Sequence, residues 1–303
     1  MTPPRVSVVM SVYNGAQRLA STLDSILTQT FDDFEFIVVD DGSTDDTPEI
    51  LRRYRDPRIR VITQENRGLT RALIRACDEA RGVVIARQDC GDRSRPERLA
   101  KQFAVLESEP DVVLVSCHTT YHAPAGETLY VAEGDGEEVR RSLREDGVEH
   151  IRGLSHHGSA MFRRDVYIEA GGYRPQFRVA QDLDLWLRMA PLGRIAFVPE
   201  VLYEATMEAR AISARNRDEQ LESARIALQL RDGGDAEALL ARAAAVRPAG
   251  PRSLRRAEAD AMYFIASCLR RRRDPQWVPY ARSAIRRNPL LLRAWLLFVR
   301  PAR

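Results

Sequence analysis

Over the first two hundred positions, apolar residues come in short runs divided by stretches where they recur every third or fourth place. The runs cover residues 6–10, 34–39, 60–62, 83–86 and 112–116, and their length and flanks predict strands. Between them, Leu19, Leu23, Ile26 and Leu27 share one helical face. Thr47-Pro48 supplies an N-cap and first-turn pair for a helix that presents Ile50, Leu51 and Tyr54. Leu69, Leu73, Ala76, Cys77 and Ala80 predict a third helix ending at Gly82, and residues 96–106 a fourth. Such alternation predicts an α/β fold, a mostly parallel sheet flanked by helices on both faces. Ligands in such sheets sit beyond the carboxyl ends of the strands. That rule sets Tyr13-Asn14, Asp40-Asp41 and the segment 89–92 along one edge.

Residues 118–155 are polar and Gly-rich and predict loops with an edge strand; 159–163 predicts another strand, and 182–189 a buried helix around Trp186. After about residue 206 the pattern changes. Segments 216–231, 235–246, 253–272 and 277–287 are helical, rich in Ala and Arg, with no strand-like run. A division follows into 1–206 and an all-helical extension, 207–303. The stretch "YARSAIRRNPLLLRAW" is similar to the second helix of a helical-hairpin repeat, but no second copy supports an array.

Composition narrows the class. A net charge of +3 over 303 residues gives no case for nucleic acid. Cys77, Cys90, Cys117 and Cys268 lie far apart without a CxxC pair, against a zinc finger or disulfide framework and in keeping with a reducing compartment. The first apolar run lacks a preceding basic region and a cleavage site, so it reads as a strand and not a signal peptide. No stretch reaches the roughly 18 apolar residues of a spanning helix.

The chemistry concentrates at the strand ends. No GxGxxG, P-loop or GxSxG motif is present, against a dinucleotide-binding, P-loop or serine-hydrolase site. Asp41, Asp89, Asp92 and Asp182 instead predict an acidic crevice able to hold a divalent cation and, through it, a diphosphate. Asp45 and Asp46 read as helix caps; Asp41 reads less so, because Thr47-Pro48 already caps that helix. His156 and His157 precede a Gly-Ser turn and read either as hydrogen-bonded loop residues or as ligands of a metal or diphosphate. Trp186 falls at core spacing with Leu183 and Met189.

The stretches "VSVVMSVYNGAQRLASTLDSILTQTFDDFEFIVVDDGSTDDT", "NRGLTRAL", "GVVIARQDCGDRSRPERLAKQ", "HHGSAMFRR", "AGGYRPQF" and "QDLDLWLRM" together resemble glycosyltransferase family 2, whose members have the GT-A fold. Six pieces in the family's order and spacing cover roughly residues 5–205. The resemblance implies an inverting transfer from a UDP- or GDP-sugar to a hydroxyl acceptor, saccharide or lipid-linked, in bacterial cell-surface polysaccharide or glycolipid synthesis in the cytoplasm. It assigns Asp41 to the nucleotide base and Val12, Tyr13 and Asn14 to the nucleoside. Asp40, Arg67, Gln88 and Asp89 fall on the same nucleotide side. Asp182 matches the base that deprotonates the acceptor, leaving Asp184 as a surface or capping carboxylate. Asp89 and Asp92 match the metal motif, implying a divalent cation, Mn or Mg. The family's usual Asp-Ala-Asp-Asp here reads Asp89-Cys90-Gly91-Asp92, with Cys90 a small filler in the alanine place. Gly91 stands where the principal ligand is expected, so the site is re-aimed, weakened or lost.

A sugar-1-phosphate nucleotidyltransferase would want a Gly-rich phosphate loop and a lysine after the first strand, and neither is present. A catalytically degenerate scaffold that interacts through its helical tail stays open on Gly91 alone. Residues 285–303 mix Leu290, Leu291, Leu292, Trp295, Leu296, Leu297 and Phe298 with Arg286, Arg287, Arg293, Arg300 and Arg303. They read either as a peripheral contact with the cytoplasmic face of an inner membrane or as a terminal helix packed on the preceding hairpin.

Overall fold

Strand β1 (Val6–Val12) and strand β2 (Phe34–Asp40) are buried along nearly their whole length, as central strands with helices on both faces must be. The computed structural model describes residues 3–207, 217–247 and 251–299. β1 pairs in parallel with β2 on one side and with β4 (Val84–Arg87) on the other, and β3 (Ile59–Thr63) extends the sheet beyond β2. Alternate residues of β1 serve two cores. Val8 and Met10 pack with Leu19, Leu23 and Ile26 of α1 (Ala16–Leu27) and with Leu99 and Phe103 of α4 (Arg98–Ser108). Val9 packs on the other side with Ala72 and Leu73 of α3 (Leu69–Asp78) and with Trp186 and Leu187 of α7 (Gln181–Met189).

The sheet is mixed beyond its first four strands. β8 (Met161–Arg163) lies antiparallel between β4 and β6 (Val112–His122), and β6 runs parallel to β9 (Arg194–Thr206). The two-residue β5 (Arg93–Ser94) pairs with the end of β9 through Ser94 and Tyr203. β9 has no clear signal in the pattern, because Pro199, Glu200 and Glu204 interrupt its apolar residues.

The 118–155 region holds the expected edge strand, β7 (Thr128–Ala132), but is more regular than the expected loops. β6 continues through buried Thr119 and Thr120 to His122, β7 pairs beside it, and α5 (Gly136–Glu145) follows. α5 is capped by Asp135, whose side chain accepts the Glu138 N–H, and is held by only two buried apolar side chains, Val139 and Leu143. That is too few for the pattern to reveal. The cap of α2 (Thr47–Arg53) also differs from expectation. Thr47 is the first helical residue, and its hydroxyl accepts the Gly15 N–H, while Asp45 accepts the N–H groups of Thr47 and Ala16. One short α6 (Arg164–Glu169) follows β8.

The helical remainder packs onto the sheet. Ile226, Ala227 and Leu228 of α8 (Arg217–Arg231) and Leu239 and Ala243 of α9 (Ala236–Ala245) join the core that holds Trp186. Ile265 and Leu269 of α10 (Pro251–Arg271) bury Ala123 and Leu129 beside β7. α11 (Trp277–Arg287) and α12 (Leu292–Val299) stack on α10 through Ala266, Ala281 and Leu297.

Candidate functional site

At the end of β4 the chain turns sharply, and Gln88 closes that turn from below. Gln88 is fully buried; its amide donates to the carbonyls of Asp89 (3.0 Å) and Asp92 (3.2 Å), and its oxygen accepts from Ser94 (2.7 Å). Both polar atoms of the Gln88 side chain thus hold the turn. Gly91 has φ +102° and donates its N–H to Thr22 Oγ1 at 3.0 Å. A β-carbon there would meet nothing nearer than Arg18 Cδ at 3.6 Å, so the constraint is backbone angle and not space. A glycine at this point lets the turn aim both flanking carboxylates inward.

Beneath the turn lies a fully buried cation. The Arg87 guanidinium donates to the Val9 carbonyl (2.6 Å), to Asp89 Oδ1 (2.6 Å) and to His157 Nε2 (3.3 Å). Burial pushes the Asp89 carboxyl up, but the charge of the Arg87 guanidinium and its hydrogen bond outweigh that and hold the group below its usual range. Asp92 takes the Thr206 N–H on Oδ1 (3.0 Å) and the Tyr203 hydroxyl on Oδ2 (3.1 Å). Burial pushes it up to about 6, and the charge of Asp89 adds to the rise.

His156 completes the group. One donor atom from each of Asp89, Asp92 and His156 lies within 4.8 Å of the others. The ring stacks on Tyr203, with centroids 5.2 Å apart. Its Nδ1 accepts the Gly158 N–H at 2.9 Å, so the neutral ring carries its proton on Nε2, 3.6 Å from Asp92 Oδ2. As oriented, the imidazole can donate to Asp92. It becomes a ligand by carrying its proton on Nδ1 instead, which gives up the Gly158 bond, or by turning about Cβ–Cγ. Two convergent carboxylates with an adjacent imidazole suit a divalent cation that prefers oxygen and tolerates nitrogen. The residues present fit such an ion.

On the nucleotide side, Asn14 sits in the left-handed region with φ 51°, and its Oδ1 accepts the Thr44 N–H at 2.7 Å, tying the β1–α1 loop to the turn after β2. Tyr13 beside it leaves half its surface open, whereas Val12 is buried. Asp40 Oδ1 accepts the Ser43 N–H (3.0 Å). Asp41 is also buried, and it is not the free carboxylate its sequence context suggests. It accepts from Gln64 Nε2 (2.7 Å) and from the backbone N–H groups of Arg67 (2.9 Å) and Gly68 (2.8 Å), which pins the loop before α3. About one of its four acceptor positions is left. The Arg67 side chain is exposed.

Across the crevice, Asp182 lies half-buried in the first turn of α7, with Oδ1 accepting the Leu183 N–H at 2.9 Å. Its charge acts on His157 and Tyr173, as does that of Asp89, so the two carboxylates border the same groups. Burial and the Arg87 charge push His157 down to about 4 and keep it neutral. Because Arg87 Nε can only donate, His157 Nε2 is an acceptor, and it also takes the Tyr173 hydroxyl at 2.7 Å. Asp184 corrects an expectation: it is neither exposed nor a cap. It is buried and paired with Arg174 (3.1 Å) and Arg188 (2.6 Å).

The sequence pattern singles out His156 without deciding its role and misses Arg87, Tyr173 and Tyr203. The His-His-Gly-Ser turn carries a signal for His156. Tyr203 carries none, since it reaches Asp92 from a strand 111 residues further along the chain.

Residues 7–171 match glycosyl transferase family 2. The chain is 33% identical to the putative glycosyltransferase EpsE of Bacillus subtilis (strain 168), over 75% of this chain and 81% of that one. It is 29% identical to the amylovoran biosynthesis glycosyltransferase AmsE of Erwinia amylovora, over 69% of this chain and 79% of that one. With the chondroitin synthase of Escherichia coli it shares 28% identity, but spans only 31% of that longer protein. Among solved structures, S. aureus TarS 1-349 in complex with UDP-GlcNAc superposes with a TM-score of 0.59 at 16% identity, over 93% of this chain and 89% of that one. Mannosyltransferase PcManGT from Pyrobaculum calidifontis, in complex with GDP-Man and Mn2+, gives 0.57 at 24% identity, over 99% and 80%. This chain therefore belongs to glycosyltransferase family 2 and has the GT-A type of fold with a helical C-terminal region.

Proposed function

We propose that this transferase moves a sugar from a nucleotide diphosphate donor to a hydroxyl acceptor with inversion, as one step of polysaccharide synthesis. Residues 1–206 form the catalytic unit and 207–303 a helical extension. The observation that carries the reading is the convergence of Asp89, Asp92 and His156 at the strand edge, with the charge of Asp182, in the first turn of α7, felt by the same buried His157. The likeness to the amylovoran biosynthesis glycosyltransferase AmsE and to the chondroitin synthase supports the polysaccharide assignment. Neighbours of the same fold in complex with UDP-GlcNAc and GDP-Man support a nucleotide-sugar donor.

Asp182 accepts the proton of the acceptor hydroxyl as its oxygen attacks the anomeric carbon. The bond from that carbon to the diphosphate oxygen breaks on the opposite face, and the electron pair leaves with the nucleoside diphosphate. A divalent cation held by Asp89 and Asp92 would supply positive charge against the departing diphosphate. Arg87 and the turn closed by Gln88 hold those carboxylates in place. Tyr13 offers its open ring to the planar base, and Asp40 and Asp41 shape the loops on either side.

Calorimetric titration with UDP and GDP, with and without manganese, tests the site. Binding of one nucleotide strengthened by manganese and weakened in Asp92→Asn is the expected result. Failure of both nucleotides to bind under either condition would overturn the reading.

A further inference from the structure

α12 exposes an apolar stripe that the rest of the protein does not cover. Its inner face buries Ala294 and Leu297 against α10 and α11, and Phe298 packs on Trp277 with ring centroids 4.9 Å apart. The other face carries Leu292 (74% exposed), Trp295 (50%), Leu296 (39%) and Val299 (79%), and Leu290 just before the helix is 86% exposed. Positions i, i+3, i+4 and i+7 of a helix fall within a narrow arc, so these four side chains form one continuous strip. The tail is thus packed on the preceding hairpin and still presents an apolar face. Arg300 and Arg303 lie outside the described residues.

Charge is distributed very unevenly along the chain. Residues 270–303 hold ten arginines and one acidic residue, Asp274, for a net +9, whereas residues 1–269 hold 36 basic and 42 acidic residues, a net −6. The acids of α10 nearest the stripe are engaged: Asp260 pairs with Arg293 and Glu258 with Arg287. Arg282 and Arg286 on α11 are exposed and have no ion-pair partner among the described residues.

We infer that the outer face of α12 docks on an anionic lipid surface, with Leu292, Trp295, Leu296 and Val299 entering the interface and neighbouring arginines meeting the headgroups. An aliphatic strip with a tryptophan, on a helix flanked by cationic and not acidic residues, has the composition of an interfacial helix. A tryptophan suits that depth, having an apolar body and one polar N–H. Among the described residues no helix is long and apolar enough to cross a membrane, so the contact lies along the surface. A second copy of the chain is the weaker occupant, since it would bring another +9 against the first. The inference is independent of the proposed chemistry.

The test is co-sedimentation of the full chain with vesicles of phosphatidylcholine alone and of phosphatidylcholine mixed with phosphatidylglycerol. The variants are Leu292→Gln/Trp295→Gln/Leu296→Gln, whose side chains point away from the core, and Arg282→Gln/Arg286→Gln. The wild type is expected to pellet with the anionic vesicles and less as salt rises. The triple variant should lose roughly tenfold or more of that partitioning, and the arginine variant should lose the preference for anionic over neutral vesicles. Equal pelleting of wild type and triple variant overturns the inference, as does wild type that stays in solution with every vesicle. Concentration-dependent dimers of the wild type that the triple variant abolishes, without lipid binding, would assign the strip to self-association instead.

Discussion

Gly91 stands where the family's metal motif has its principal carboxylate, and two substitutions there separate backbone strain from metal binding. At φ +102° the residue lies beyond the left-handed helical well that aspartate and asparagine sometimes enter, so any side chain carries strain of about 1–3 kcal/mol. Steric crowding adds little, since the nearest atom to a β-carbon at this position would be Arg18 Cδ at 3.6 Å. Gly91→Ala should therefore cost that strain alone. Gly91→Asp should cost the same strain and, without metal, somewhat more, because it sets a third carboxylate beside Asp89 and an Asp92 already pushed up to about 6. With manganese the order should reverse, as the new carboxylate adds an oxygen ligand. Thermal unfolding with and without manganese reads both effects; for a domain of this size the strain corresponds to a fall in Tm of roughly 2–8 °C. If manganese leaves Gly91→Asp below Gly91→Ala, position 91 does not face the cation, and the re-aimed turn excludes it from coordination.

Asp182→Asn should lower transfer, or hydrolysis of the nucleotide sugar by water where no acceptor is at hand, by roughly two to four orders of magnitude with donor affinity nearly unchanged; lost donor binding with normal turnover would make the residue a donor ligand. Asp184→Asn leaves Arg174 and Arg188 without their shared carboxylate and should cost about 3–5 kcal/mol in denaturant unfolding, whereas an effect near zero would show that solvent reaches the pair. Glu35 supplies a pH dependence away from the site. Burial pushes its carboxyl up, but hydrogen bonds from Arg81 and Ser7 outweigh it and hold the group below 4.5. Its contribution is thus present above pH 4.5 and lost as the pH falls through the lower folded-state value. Glu35→Gln should flatten that part of the stability–pH curve, and an unchanged slope would place the acid sensitivity elsewhere.

The sequence by itself determined β1 to β4 and the helices α1, α3 and α4, because their apolar residues repeat at spacings that only one local geometry can bury. It also determined the family, through six short stretches whose order and spacing no single element could supply. It placed Asp41, Asp89 and Asp92 at strand ends and Asp182 at the start of a helix, and marked Gly91 as the departure from the metal motif. Tertiary structure alone decided which of these carboxylates face one another. Asp182 and Asp184 are two residues apart on a helix, and only packing showed that Asp184 is the one buried against Arg174 and Arg188. Asp41 turned out to be occupied by a loop 23 to 27 residues further on. β9 and α5 were invisible for the same reason: a strand broken by Pro199 and Glu200, or a helix with two buried apolar side chains, takes its stability from the neighbours it pairs with. Local spacing encodes what a segment can bury. Contacts made across the chain decide what it meets, and the Tyr203 hydroxyl on Asp92 is such a contact.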